Sequence, residues 1–163
     1  MAPLTEGYVH GAFNLLDVLC LIEETLGKLY LEYARLFPRY TIFWSELAAN
    51  EQQHALWLVA LVDDYDCGAL KVYPGRGNLP EYLQLLNTID DGLRTAQAAP
   101  VTHAQAVRFA AHIDSTYIGQ HLQEVFHSDD LVVHHQLDKL LEDSRRHQEL
   151  LQTMLHQLRT HPA

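Results

Sequence analysis

Pro38 stands between two long stretches of helical periodicity, and this placement limits the fold more than any other feature of the chain. Upstream, Leu15, Leu19, Ile22, Leu26, Leu29, Tyr33 and Leu36 recur at alternating steps of four and three. They predict a helix from about Phe13 to Phe37, because a proline disfavours helical geometry in the residue before it. A second helix is predicted to start near Tyr40 and to run to about Tyr65. A connection this tight makes the pair an antiparallel helical hairpin.

The second half of the chain repeats the scheme. Thr102-His-Ala-Gln105 is a capping box just after Pro100, and it opens a third helix expected to reach about Phe126. A break at Ser128-Asp129-Asp130 precedes a fourth, from about Leu131 to Leu158. Between the hairpins, Pro74-Gly75-Arg76-Gly77-Asn78 is turn-rich. A shorter helix follows it, with Asn78 as its cap and Pro80 in its first turn, ending near Gln97. No strand pattern competes, since Val132-Val133 is too short to count. Two hairpins joined by a long crossover with a short extra helix is the connectivity of an all-α, ferritin-like four-helix bundle. Residues 1–163 read as one such domain, long enough to bury a core without crosslinks.

Several classes are disfavoured by composition. The formal charge is −10 and no basic cluster is present, which argues against nucleic acid as a partner. The longest apolar run, Ala55 to Val62, is too short to span a bilayer. The amino terminus lacks the basic flank and apolar core of a signal peptide. Cys20 and Cys67 form no CxxC pair, so no zinc ribbon or rubredoxin-type site is built from them, and a reducing cytoplasm is the expected setting. The eleven histidines are scattered rather than bunched in a tract. Most of them, His103 included, are expected to face solvent.

The chemistry lies in polar residues that interrupt apolar columns. Counting by sevens, Glu51 shares a column with Trp44 and Leu58, and His54 shares one with Leu47 and Leu61. Glu51-Gln-Gln-His54 therefore presents a carboxylate and an imidazole inward from one helical face. Burying an unpaired carboxylate costs several kcal/mol, and a metal ion is the simplest compensation. Glu23 stands in a column with Leu16, Tyr30 and Phe37, which favours it over its neighbour Glu24 as the inward residue. Gly27 leaves space one turn on. In the third helix Val107, Asp114 and His121 align, beside Ala110, Tyr117 and Glu124. In the fourth, His147 aligns with Leu140 and Met154, and Ser144 with Leu137 and Leu151. Each hairpin thus offers a carboxylate on its first helix and a histidine on its second, at nearly equal steps. The first hairpin alone adds a Glu three residues before that histidine.

This arrangement resembles the rubrerythrin branch of the ferritin-like di-iron carboxylate proteins. Glu23-Glu-Thr-Leu-Gly-Lys-Leu-Tyr30 and Phe43-Trp-Ser-Glu-Leu-Ala-Ala-Asn-Glu51-Gln-Gln-His54 carry the likeness, which spans about Phe13 to Leu158 and is looser in the second hairpin. The resemblance implies that Glu23, Glu51, His54, Asp114 and His147 bind metal. Ser144 occupies the place of a sixth, bridging carboxylate. Asp143 is adjacent, but one residue turns about 100° around a helix, so it does not take that place without distortion. His121, Glu124 and Tyr117 are further candidates near the site, each with a packing or hydrogen-bonding alternative.

Mixed carboxylate and histidine ligands suit iron, with manganese or zinc as alternatives. The resemblance implies an oxidoreductase acting on peroxide or dioxygen. With no rubredoxin domain present, a separate donor protein would supply electrons. Trp44 and Tyr30 lie near the presumed site, as core aromatics or as a transfer path. The resemblance also implies a homodimer. The alternatives are a non-catalytic iron-binding protein, or a metal-free bundle with a degenerate site. Glu23, Glu51 and His54 alone also fit a single-metal site.

Overall fold

A computed structural model of the chain describes residues 15–73, 78–116 and 122–160, and it is all-α apart from one short strand pair. Helix α1 (Leu15–Leu36) buries the stripe anticipated from its periodicity, including Leu15, Leu19, Ile22, Leu26 and Leu29. It stops one residue before the expected end. A 3-10 turn at Pro38–Tyr40 then reverses the chain into α2 (Thr41–Asp66). Thr41 Oγ1 ties the turn together by donating to the carbonyls of Ala34 and Pro38, each at 3.1 Å. The two helices pack along one another as a hairpin. At the far end of α2, Gly68 adopts φ = +82°, a left-handed conformation that suits glycine at a helix terminus.

Helix α3 (Leu79–Ala98) occupies the crossover and lies along α1. Its 20 residues exceed the 14 of α4 (His103–Thr116), so the crossover helix is a full packing element and not a minor addition. Asn78 sits at its N-cap position, but the side chain makes no capping bond. Its carbonyl instead accepts from the N–H groups of Glu81 and Tyr82. The capping box of α4 forms as expected. Gln105 N–H donates to Thr102 Oγ1 at 3.2 Å, and Thr102 N–H donates to Gln105 Oε1 at 2.9 Å.

The third helix of the sequence reading does not reach Phe126. α4 is described over His103–Thr116, the short α5 covers Leu122–Val125, and Phe126 is extended. Further on, strand β2 (Phe126–His127) pairs antiparallel with β1 (Lys71–Val72), and Tyr73 N–H donates to the Val125 carbonyl at 2.8 Å. The expectation that no strand forms is thereby corrected: pairing between distant segments, rather than local propensity, makes these two residues extended. Tyr117 and His121 lie outside the described residues, and Glu124 is exposed.

Helix α6 (Leu131–Thr160) begins at Asp130, whose carboxylate accepts from Val132 N–H at 2.8 Å. It packs on α4 and touches α2. The core runs through α1, α2, α3, α4 and α6. Among the described residues, no helix is long and apolar enough to cross a membrane.

Candidate metal centre

Among the described residues, five polar or charged side chains are buried in this core: Glu23, Glu51, His54, Ser144 and His147. Their helices explain how they meet. α1 supplies Glu23, α2 supplies Glu51 and His54 from consecutive turns, and α6 supplies Ser144 and His147 in the same i, i+3 relation. Gly27 on α1 faces α2 here, and a Cβ added to it would lie 3.7 Å from Glu51 Cβ, an ordinary contact.

Glu51 is the hub. Its Oε2 lies 3.1 Å from His54 Nδ1, and its Oε1 lies 3.2 Å from His147 Nδ1. Glu23 Oε2 is 3.7 Å from the same His54 nitrogen. The two imidazoles stand 5.0 Å apart, centroid to centroid. One ligand atom from each of Glu51, His54 and His147 falls within 4.8 Å of the others, all three residues being buried. This is the grouping that a cation needs.

Both nitrogens of His54 face carboxylate oxygens, because Nε2 lies 2.9 Å from Asp143 Oδ2. An imidazole satisfies two such acceptors only by carrying both protons. Burial opposes that charge, but Glu23 and Glu51 overcome it and push the His54 pKa up to about 11. Burial likewise works against the Glu51 carboxylate, yet bonds from His147 and His54 hold it below the usual range. Glu23 shifts the opposite way. Burial, then the Glu51 charge, push it up to about 8. Asp114, half-buried on α4, is pushed up to about 7 by burial and by Glu51. Tyr30 is raised well above the ordinary phenol value by burial and by the charges of Glu51, Asp114 and Glu23. Four carboxyl groups, those of Glu23, Glu51, Asp114 and Asp143, lie about the two imidazoles in this region.

No protein-family profile, curated protein or solved structure matches the chain.

Of the five sequence candidates, Glu51, His54 and His147 converge as ligand atoms. Glu23 joins them at the edge of His54, and Asp114 is placed in their electrostatic field. Ser144 is buried beside them, but its hydroxyl donates to the Leu140 carbonyl at 2.9 Å and so is engaged by its own helix. Asp143 was missed as a participant. The turn of about 100° that keeps it from Ser144's place aims it sideways across the seam to α2, where it meets the outer nitrogen of His54. Its position beside the column was the available signal. Adjacency alone does not reveal which neighbouring helix it faces.

His103 corrects another expectation. Instead of facing solvent, its ring stacks on Tyr40 at 3.6 Å and meets Phe37 and Trp44 edge-on. Both of its nitrogens are buried without a hydrogen-bond partner. Trp44 links this cluster to Tyr30, at 5.6 Å between centroids, and so to the neighbourhood of the carboxylates.

Proposed function

We propose that this protein is a ferritin-like metal protein with one strongly held cation, in which Glu51, His54 and His147 are the principal ligands. Glu23 and Asp114 would complete the shell. The carrying observation is the convergence of those three buried residues within 4.8 Å. The excess of carboxyl groups over imidazoles supports it, because a bound cation would offset the burial and the Glu51 charge that raise Glu23 and Asp114. In this reading the α1–α2 and α4–α6 pairs are the two hairpins of a four-helix bundle, and α3 is their crossover.

Iron suits the donor set, with manganese and zinc as alternatives. When bound, a redox metal would supply the two-way electron chemistry of an oxidoreductase acting on peroxide or dioxygen, with electrons from a separate donor. The residues of the chain do the rest. Glu51 holds the two histidines in register, one carboxylate oxygen to each. Asp143 orients His54 from the solvent side of the seam, leaving Nδ1 toward the centre. Tyr30, Leu58 and Trp44 exclude water. The free thiols of Cys20 and Cys67 accord with a reducing cytoplasm. A homodimer is the assembly that the bundle resemblance suggests.

Ser144 favours a second reading, in which the protein holds a metal without turnover. A hydroxyl committed to Leu140 leaves the α6 side one carboxylate short of a symmetrical pair site. Metal per chain decides between them, measured by elemental analysis after anaerobic loading with ferrous iron. Iron held in each chain that gives an absorption change on adding peroxide supports the oxidoreductase. One iron without reaction supports the storage or binding role. Absence of stoichiometric metal overturns both.

A further inference from the structure

We propose that the groove between α4 and α6 is a binding site for a small organic carboxylate, separate from the Glu51–His54–His147 cluster. The groove encloses about 310 Å³, at the lower end of the range for small-molecule sites. Each helix gives it one stripe. α4 contributes Arg108 and His112, one turn apart, and α6 contributes Gln152 and Arg159. These are four hydrogen-bond donors, and no carboxylate lines the groove. Ala104 and Ala111 leave the hollow between them, while Leu155 and Leu158 form an apolar wall.

The local charge is opposite to that of the molecule. In a chain of net charge −10, neither the stretch from Val101 to Ile113 nor that from Leu150 to Ala163 contains an Asp or Glu. Among the described residues, the arginines that pair with carboxylates are Arg35, Arg94 and Arg146. Arg108 and Arg159 make no such pair there. Two planar guanidinium groups, one from each helix, suit the two oxygens of a carboxylate. The leucine wall then sets a preference for an apolar body behind it. The larger neighbouring hollow, about 580 Å³, has the reverse character, since it is lined by Glu81 and Glu124 and by no arginine.

The test uses the full chain, stripped of metal with chelator so that carboxylates cannot bind through an ion. Hexanoate, inorganic phosphate and hexylammonium are titrated separately at low ionic strength, with amide shifts and calorimetric heats as readouts. Hexanoate is expected to saturate, to move amides in residues 104–112 and 152–159, and to bind more tightly than phosphate. Hexylammonium is expected not to bind. The R108A/R159A double variant should weaken hexanoate by about tenfold or more. Gln152→Glu, which adds a negative charge to the same exposed groove, should weaken it without removing either arginine. Phosphate binding as tightly as hexanoate, undiminished affinity in both variants, or shifts centred on His54 and His147 would each overturn the assignment.

Discussion

The imidazole of His54 and the carboxylate of Asp143 meet at 2.9 Å, Nε2 to Oδ2, although 89 positions separate them in the chain. The contact joins α2 to α6 across the candidate centre. It directs the other nitrogen of His54, Nδ1, toward Glu51 and Glu23. Carboxylates that orient a ligand histidine in this way set its tautomer and raise its basicity.

Asp143→Asn should therefore weaken metal binding by about 10- to 100-fold without changing stoichiometry. Competition against a fluorescent chelator measures this. Asp143→Glu should restore part of the loss. Equal affinity in Asp143→Asn and the parent would show that Asp143 has no positioning role.

Ser144→Glu places a carboxylate where α6 now offers only a hydroxyl bound to Leu140. Metal content is expected to rise toward two ions per chain. Unchanged loading would mean that position 144 does not serve the centre.

Glu51→Ala removes the partner of both histidines at once. In chelated protein it should cost about 3 kcal/mol, as expected for breaking one side of a buried charged pair. Urea unfolding reads the difference. A variant as stable as the parent would show that the cluster is not held by Glu51.

The glycines on α1 and α3 should respond in opposite directions. A Cβ on Gly27 meets its nearest neighbour at 3.5 Å, an ordinary contact, so Gly27→Ala should stabilise by about 0.5–1 kcal/mol through helix propensity. A Cβ on Gly92 would lie 2.6 Å from Phe109 Cζ, so Gly92→Ala should destabilise by displacing that ring. Thermal unfolding of the two variants side by side checks the contrast.

His103 introduces a pH dependence at the aromatic cluster. Burial holds its pKa below the ordinary value of 6.5. The unfolded chain thus takes up this proton more readily than the folded one. Above pH 6.5 the group has no effect, and stability declines as pH falls through 6.5 toward the lower folded value. His103→Phe should remove that part of the decline. Urea midpoints at pH 7.5 and 5.5 for both proteins give the comparison, and equal slopes would contradict it.

Much of the site was legible because helical geometry is local. Glu51 and His54 share a face through spacing alone, and the apolar neighbours at sevens showed that this face points inward. The same count placed Glu23 and His147 in buried columns, and both are buried. Asp114 was harder to place because its column is mixed, and it is only half-buried. His103 was misjudged because nothing within its own helix marks it. The rings that enclose it come from the far side of the α1–α2 turn.

The sequence by itself determined most of the helices, the cap at Thr102, the reversal at Pro38 and the inward direction of the Glu-x-x-His face. Each of these follows from interactions spanning a few residues, whose geometry is nearly independent of the rest of the chain. Only the tertiary structure decided that Asp143 meets His54, that β1 pairs with β2, and that α4 and α6 enclose a groove bearing two arginines. These depend on the rotation and depth at which one helix settles against another. Those quantities are set by the whole packed core and are carried by no single segment.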